Sequence, residues 1–403
     1  MVINKMGIHK KRQRALAHVE KIAWIRPIEG ADNIELVGVL GWVCIAKIGE
    51  FQVGDWCVYI EIDSKVPEKE WSEFLRPKHF KIKTMKLGKF KVISQGIALP
   101  LSMFDVDIPQ EEGKDVTKLL GVKYSVKEDN FRKSEIDKYK AMAQRRPDVF
   151  KKPWARGMMK NPVGKRIMFL LYGKKRDKET AFPTKFPFVH KTDQERCENM
   201  PWVLEDKTPF IRTQKCDGTS GTYILERKPF GRYEFYVCSR NVRMLRPDQD
   251  NFFGDKNPYW EMAIKYDIEK KMKDFLSSNK RLKYICWQGE ICGPNIQKNP
   301  HHLKEEHLFM FHMIDSKVGF YDIREAAKWW THYDLEHVPI DEQLYILPNS
   351  MEEFKLTADG LYNPKCCEGY SKAKREGYVY YKSTDPNFSF KNVSREYLLK
   401  AKM

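Results

Sequence analysis

Residues 211–222 read IRTQKCDGTSGT, with Lys215 two positions before Asp217-Gly218. A lysine amine is a nucleophile only when neutral, and burial or a neighbouring cation lowers its pKa toward that state. The apolar run PFIRTQ before it and TSGTYILE after it predict two strands, with Lys215 desolvated at the inner end of the hairpin between them. Alone, Lys-x-Asp-Gly is equally what a solvated hairpin turn carries, with Asp217-Gly218 at the bend. Five companions follow in order: Arg240 in CSRN, Glu290 in WQGEI, Phe311 in FMFHMID, Glu376 in REGYVYYK and Lys391 in FSFKNVS. Singly they read as a surface charge, turn acids or a core aromatic. Together with the lysine they form an ordered set that chance rarely supplies.

Other chemistries lack their signatures. There is no Gly-x-x-x-x-Gly-Lys-Ser/Thr loop, no Gly-x-Gly-x-x-Gly after a strand and no Gly-x-Ser-x-Gly elbow. In HHLKEEH (301–307), His302 and His307 are five apart, which does not put two imidazoles on one helical face, so a polar turn is expected. The nine cysteines form no Cys-x-x-Cys pair and fall mostly in apolar runs, as reduced buried thiols do. No apolar run reaches membrane-spanning length, and the charged start MVINKMGIHKKRQR is not a secretory signal.

The elements that must position Lys215 and its companions come in two styles. Residues 18–66 alternate like short strands, with turn signals at Glu29-Gly30, Gly41, Gly49 and Gly54-Asp55, and strand-like pieces continue to about Phe104. This predicts a small five-stranded barrel of the oligonucleotide-binding (OB) type over residues 1–108. Residues 109–180 read as a basic connector with helical pieces such as SEIDKYKAMAQ, broken at Pro147, Pro153 and Pro162. From 181 to 403 strands alternate with a few helices, predicting an α+β domain on antiparallel sheets with flanking helices. One helix is expected over EMAIKYDIEKKMKDFL, with Ile264, Ile268, Met272 and Phe275 on one face, and another over DIREAAKWWTHYDL.

With 403 residues, 42% hydrophobic and 13% aromatic, the chain can fill two cores. Its net charge is +17, and between Lys123 and Lys178 there are 18 Lys or Arg against 6 Asp or Glu. That basic stretch, interleaved with Tyr139, Phe150, Trp154 and Tyr172, suits phosphate backbones and stacked bases.

The set KCDGTS, SR, GE, FMF, EGYV and SFK resembles motifs I, Ia, III, IIIa, IV and V of the covalent nucleotidyltransferases: ATP-dependent DNA ligases, RNA ligases and mRNA capping enzymes. The chain is most similar to the RNA ligases called type five, which place an OB-type barrel before the nucleotidyltransferase domain and whose lead-in resembles FPFVHKTDQERCEN (186–199). The resemblance spans everything but the basic connector. Twelve residues follow Lys391, so no barrel is expected after the last motif, where DNA ligases and capping enzymes carry theirs.

The resemblance implies that Lys215 attacks the α-phosphorus of ATP to form lysyl-AMP, that AMP passes to a 5′-phosphate end, and that a 3′-hydroxyl then seals the strand. It implies Glu376 at a divalent metal (Mg²⁺ or Mn²⁺), Glu290 near the ribose, Arg240 on the nucleotide or the end being joined, Phe311 stacked on adenine and Lys391 at the α-phosphate. Asp217 and Gly218 would shape the turn presenting Lys215. The expected partner is RNA or an RNA-containing nicked duplex, handled by a monomer in the cytoplasm (or nucleus) and not at a membrane. Two positions depart from the family pattern: Ser389 stands where motif V often has a first lysine, for which Lys382 is a substitute, and Gln214 stands where an acid is common. A GTP-using capping enzyme, a DNA ligase and a non-catalytic RNA-binding protein are the alternatives.

Overall fold

A computed structural model describes residues 15–90, 92–125, 147–172, 194–240, 243–244, 257–363 and 373–400. They fall into two compact units. One comprises Asp63–Ile82 and Asp115–Lys178 with Met1–Ala17; the other comprises His18–Ile62, Lys83–Lys114 and Glu179–Met403.

In the first unit, β5 (Ser64–Lys65) pairs with β6 (Lys81–Ile82) and β10 (Lys123–Tyr124). Helices α1 (Pro147–Phe150), α2 (Pro153–Met158) and α3 (Pro162–Tyr172) follow. The three prolines therefore begin helices and do not break them: a first-turn N–H has no helical partner to lose, and the fixed φ of proline suits that position. SEIDKYKAMAQ lies outside the described residues, as do 186–193 of the lead-in.

In the second unit, β1 (Ala17–Pro27), β2 (Ile34–Val39), β3 (Trp42–Lys47), β4 (Trp56–Ile60) and β9 (Ile97–Pro100) form a sheet in the order β3-β2-β1-β4-β9. The hairpin β7 (Met85–Leu87) and β8 (Val92–Ser94) precedes β9. The N–H of Gln95, between β8 and β9, donates to the Val43 carbonyl on β3 at 2.8 Å, curling the sheet closed. Alternation turns Ile22, Val37, Val39, Trp42, Cys44 and Tyr59 inward as the barrel core. The barrel meets the rest of its unit at Gly41-Trp42: the Gly41 N–H donates to the Glu198 carbonyl at 2.8 Å, and the Trp42 indole to Asn199 at 2.5 Å. A Cβ on Gly41 would lie 2.9 Å from Glu198 Cα, so only glycine lets the two segments touch.

The remainder is α+β, on two sheets. The four-stranded sheet runs β11 (Glu195–Arg196), β20 (Asp385–Val393), β19 (Gly377–Lys382), β12 (Phe210–Gln214). The six-stranded antiparallel sheet runs β15 (Arg243–Met244), β14 (Tyr233–Cys238), β13 (Thr219–Arg227), β16 (Tyr284–Cys292), β17 (His307–Asp315), β18 (Gly319–Phe320). Helices α4 (Pro258–Lys265), α5 (Ile268–Ser278) and α6 (Ile323–His332) supply Trp260, Met272, Phe275 and Trp330 to a core shared with Tyr223, Leu225, Ile285 and Trp287.

The single helix expected over 261–276 is two. Asp267 takes a left-handed φ of 48° between α4 and α5, which re-aims the chain. Ile268, Met272 and Phe275 are buried as expected, but Ile264, on the far side of that break, is 66% exposed. α6 begins where Asp322 accepts the N–H groups of Arg324 and Glu325, an acidic N-cap. Short helices α7 (Met351–Leu356) and α8 (Arg395–Lys400) complete the unit. All seven described cysteines are buried.

Candidate active site

Lys215 does not sit in a hairpin. β12 pairs with β19 in one sheet and β13 with β14 and β16 in the other, so 215–218 cross from sheet to sheet. The crossing is pinned at both ends. The Lys215 N–H donates to the Gly377 carbonyl at 2.9 Å, and the Gly218 N–H donates to Glu290 Oε1 at 3.1 Å. Gly218 is required by contact: a Cβ there would lie 2.2 Å from the Ile291 carbonyl oxygen and 3.0 Å from Glu290 Cγ.

Lys215 Nζ donates to Glu376 Oε2 at 2.9 Å, with the two side chains only 26% and 14% exposed. Glu376 immediately precedes β19 and Glu290 lies on β16, so the two sheets bring one carboxylate each to the lysine. Burial favours the uncharged amine, but the nearby carboxylates of Glu376, Glu290 and Asp217 outweigh it and hold the ammonium above the ordinary lysine range. The sequence expectation of a lowered pKa is therefore reversed, because desolvation comes with three acids and not with a cation. Burial, together with Glu376 and Asp217, pushes Glu290 up to about 8 against the pull of Lys215. Glu376 is also raised by burial and by Asp217, while Lys215 and Lys391 oppose.

A cluster with more acid than base, built from hard oxygen donors, fits a hard divalent cation. Among the described residues no group of three or more His, Cys, Asp or Glu forms a metal-binding set. The fit is thus to a cation held by one or two carboxylates and completed by substrate oxygens.

Phe311 is placed by a bulge. On β17, His312 pairs with Gln288 and Met310 with Gly289, leaving Phe311 as the extra residue. It is half-buried against a cluster that includes Cys216 of the crossing loop and Phe309. Arg240 is exposed two residues beyond β14, whose end pairs with Thr222 near the start of β13, at the same end of the sheet as the crossing. Lys391 stands opposite Val379 on β20, and Ser389 opposite Tyr381. Lys382 donates to Asp206 at 2.6 Å. Gln214 accepts the Asn363 N–H at 2.9 Å, using its neutral carbonyl structurally.

Two similarities bear on this geometry. Residues 16–101 match an OB-fold domain model, and residues 208–402 match the RNA ligase model. The catalytic segment belongs to the RNA ligase family. Structures of the Naegleria gruberi RNA ligase resemble nearly the whole of this chain. One apo variant is 28% identical, with a TM-score of 0.72, covering 96% of this chain and 98% of that one. A variant with ATP and Mn is 27% identical at TM-score 0.70, covering 96% and 99%. The enzyme with PPi is 27% identical at TM-score 0.70, covering 97% and 99%. No curated protein sequence matched the chain.

Sequence reasoning missed several residues around the ligase motifs. His301, read as part of a polar turn, is fully buried, with Nε2 3.1 Å from the Asp217 N–H. Burial pushes its pKa down to about 4, so the ring is neutral, and the same Nε2 lies 3.2 Å from the Asp217 carbonyl. Tyr397 on α8 donates its hydroxyl to Asp217 Oδ2. A hydrogen-bonded chain also spans the two sheets behind Phe311: Gln288 donates to Thr222 at 3.3 Å, and His312 bridges Gln288 at 3.0 Å and Tyr381 at 3.3 Å. No local pattern marks these residues, since each acts on a partner distant in the chain.

Proposed function

We propose that this RNA ligase is ATP-dependent and joins 3′-hydroxyl to 5′-phosphate ends, sealing nicks in duplexes whose 3′-hydroxyl strand is RNA. The observation that carries the reading is the Lys215 amine held 2.9 Å from Glu376, at a crossing between sheets within the family-matched segment. Lys215 Nζ, once deprotonated, bonds to the α-phosphorus of ATP; the bond to the pyrophosphate oxygen breaks, and a phosphoramidate remains. AMP then moves to the 5′-phosphate, and attack by the 3′-hydroxyl releases it, so one poor leaving group is replaced by two good ones.

Asp217 and Gly218 fix the crossing that aims Lys215, and Phe311 offers a half-buried aromatic face to adenine. Glu290 lies on the ribose side, Arg240 meets the nucleotide or the end being joined, and Lys391 neutralises charge at the α-phosphate. Glu376 would hold Mg²⁺ or Mn²⁺, which would supply positive charge beside Lys215. We assign residues 1–108 to the barrel, 109–180 to a basic connector that follows the RNA backbone and 181–403 to the adenylation domain, acting as a monomer in the cytoplasm or nucleus. Among the described residues no helix is long and apolar enough to cross a membrane.

The test is intact-protein mass spectrometry after incubation with ATP and Mg²⁺, and separately with GTP. AMP on Lys215, lost in Lys215→Ala, is expected. A GMP adduct without an AMP adduct would make the chain a capping enzyme, and no adduct with either nucleotide would make it a binding protein.

A further inference from the structure

Asp217 is gripped from outside its motif. Its N–H is accepted by His301, and its Oδ2 accepts the hydroxyl of Tyr397, which stands 180 residues later on the one-and-a-half-turn helix α8. That helix is anchored on several sides. The Ser394 N–H donates to the Glu376 carbonyl at 2.9 Å, and Ser394 Oγ donates to Asp359 at 2.6 Å while accepting the Tyr397 N–H at 3.1 Å. Glu396 pairs with Lys374, and Leu398 packs against the barrel core. A single stretch of backbone thus touches the residue preceding β19, the crossing loop and the barrel.

Asp217 shares its neighbourhood with Glu290 and Glu376, which repel it, and with Lys215, which attracts it. A carboxylate in that field swings toward the lysine unless another donor holds it. A rotated Asp217 would add a second acceptor to the Lys215 amine and move the crossing loop that presents it.

We propose that Tyr397 is a positioning residue for lysine adenylation: its hydroxyl fixes the rotamer of Asp217 beside Lys215, and α8 ties that setting to the barrel through Leu398. This rests on the reading of Lys215 as the nucleophile. Tyr397 need not touch ATP; it acts through Asp217 alone.

Tyr397→Phe keeps the ring and removes the hydroxyl. Single-turnover formation of lysyl-AMP should slow by about tenfold at saturating ATP, the scale of one lost hydrogen bond to a charged group. Half-saturation by ATP should move by less than about threefold, because the loss falls on the reacting geometry and not on nucleotide contacts. In an Asp217→Asn background the same Tyr397→Phe change should cost less than about twofold, since two residues acting as one unit are not additive. The proposal is overturned if Tyr397→Phe matches the wild type or if it costs as much in the Asp217→Asn background. Thermal melting of each variant keeps loss of fold apart from loss of positioning. A wild type that forms no lysyl-AMP at all would instead defeat the functional reading.

Discussion

Lys355→Met puts the buried charge of the catalytic domain to the test. Lys355 and Glu198 have fully buried side chains, with Nζ 2.7 Å from Glu198 Oε1. The same amine donates to the Val393 carbonyl at 2.7 Å. Burial disfavours the Glu198 carboxylate, but Lys355 and Arg196 outweigh it and take its pKa down to about 2. Methionine matches the length of lysine without the ammonium, leaving Glu198 to be buried unpaired or protonated. Breaking a buried pair from one side costs about 3–5 kcal/mol. The change lies next to the barrel contact, because the Glu198 carbonyl accepts the Gly41 N–H. Urea unfolding followed by tryptophan fluorescence should show a loss of this size, with the barrel and catalytic signals both shifted. Adding Glu198→Gln, which removes the stranded charge, should restore about half of it. A Lys355→Met variant within about 1 kcal/mol of the wild type, or a double variant no more stable than the single one, would refute the argument from unpaired charge.

Two further outcomes follow from the same geometry. Gly218→Ala forces a Cβ to within 2.2 Å of the Ile291 carbonyl, so β13 must move away from β16; single-turnover lysyl-AMP formation should fall by at least about tenfold, and a rate near wild type would show that the crossing tolerates displacement. In the barrel, His18 is buried, hydrogen-bonded to Glu20 at 2.6 Å and 3.8 Å from Glu61. Burial alone would lower its pKa, but the two glutamates push it up to about 9. A folded-state value above the unfolded 6.5 gives stability that is complete below pH 6.5 and lost as pH rises through about 9. Melting temperature should therefore decline between pH 7 and 10 in the wild type and decline less in His18→Gln; parallel profiles would count against a charged His18.

The strands around the motifs were legible because alternation and β-branched runs are local: PFIRTQ, GTYILE, YICWQGEI and GYVYYK all form strands where expected. The helix expected over DIREAAKWWTHYDL forms as α6. The break at Asp267 was not legible, since the apolar spacing of 264–275 continues through it and only packing selects the left-handed turn. Nor was the assignment of β12 and β13 to different sheets. Adjacent strands with a glycine between them read as a hairpin, and the decision lies with β19 and β16, which compete for them from much later in the chain.

The sequence by itself determined the chemical types and their order: a lysine before Asp-Gly, then arginine, glutamate, phenylalanine, glutamate and lysine, in a chain with a barrel pattern ahead of them. Those are properties of side-chain chemistry and local backbone preference, which neighbours in the chain suffice to express. Tertiary structure decided the electrostatic state of Lys215, which depends on Glu376 and Glu290 arriving from opposite sheets. It also decided the holds on Asp217 by His301 and Tyr397. Coulomb and hydrogen-bond energies depend on distance in space, and residues 84 and 180 positions away in the chain leave no mark beside the motif they serve.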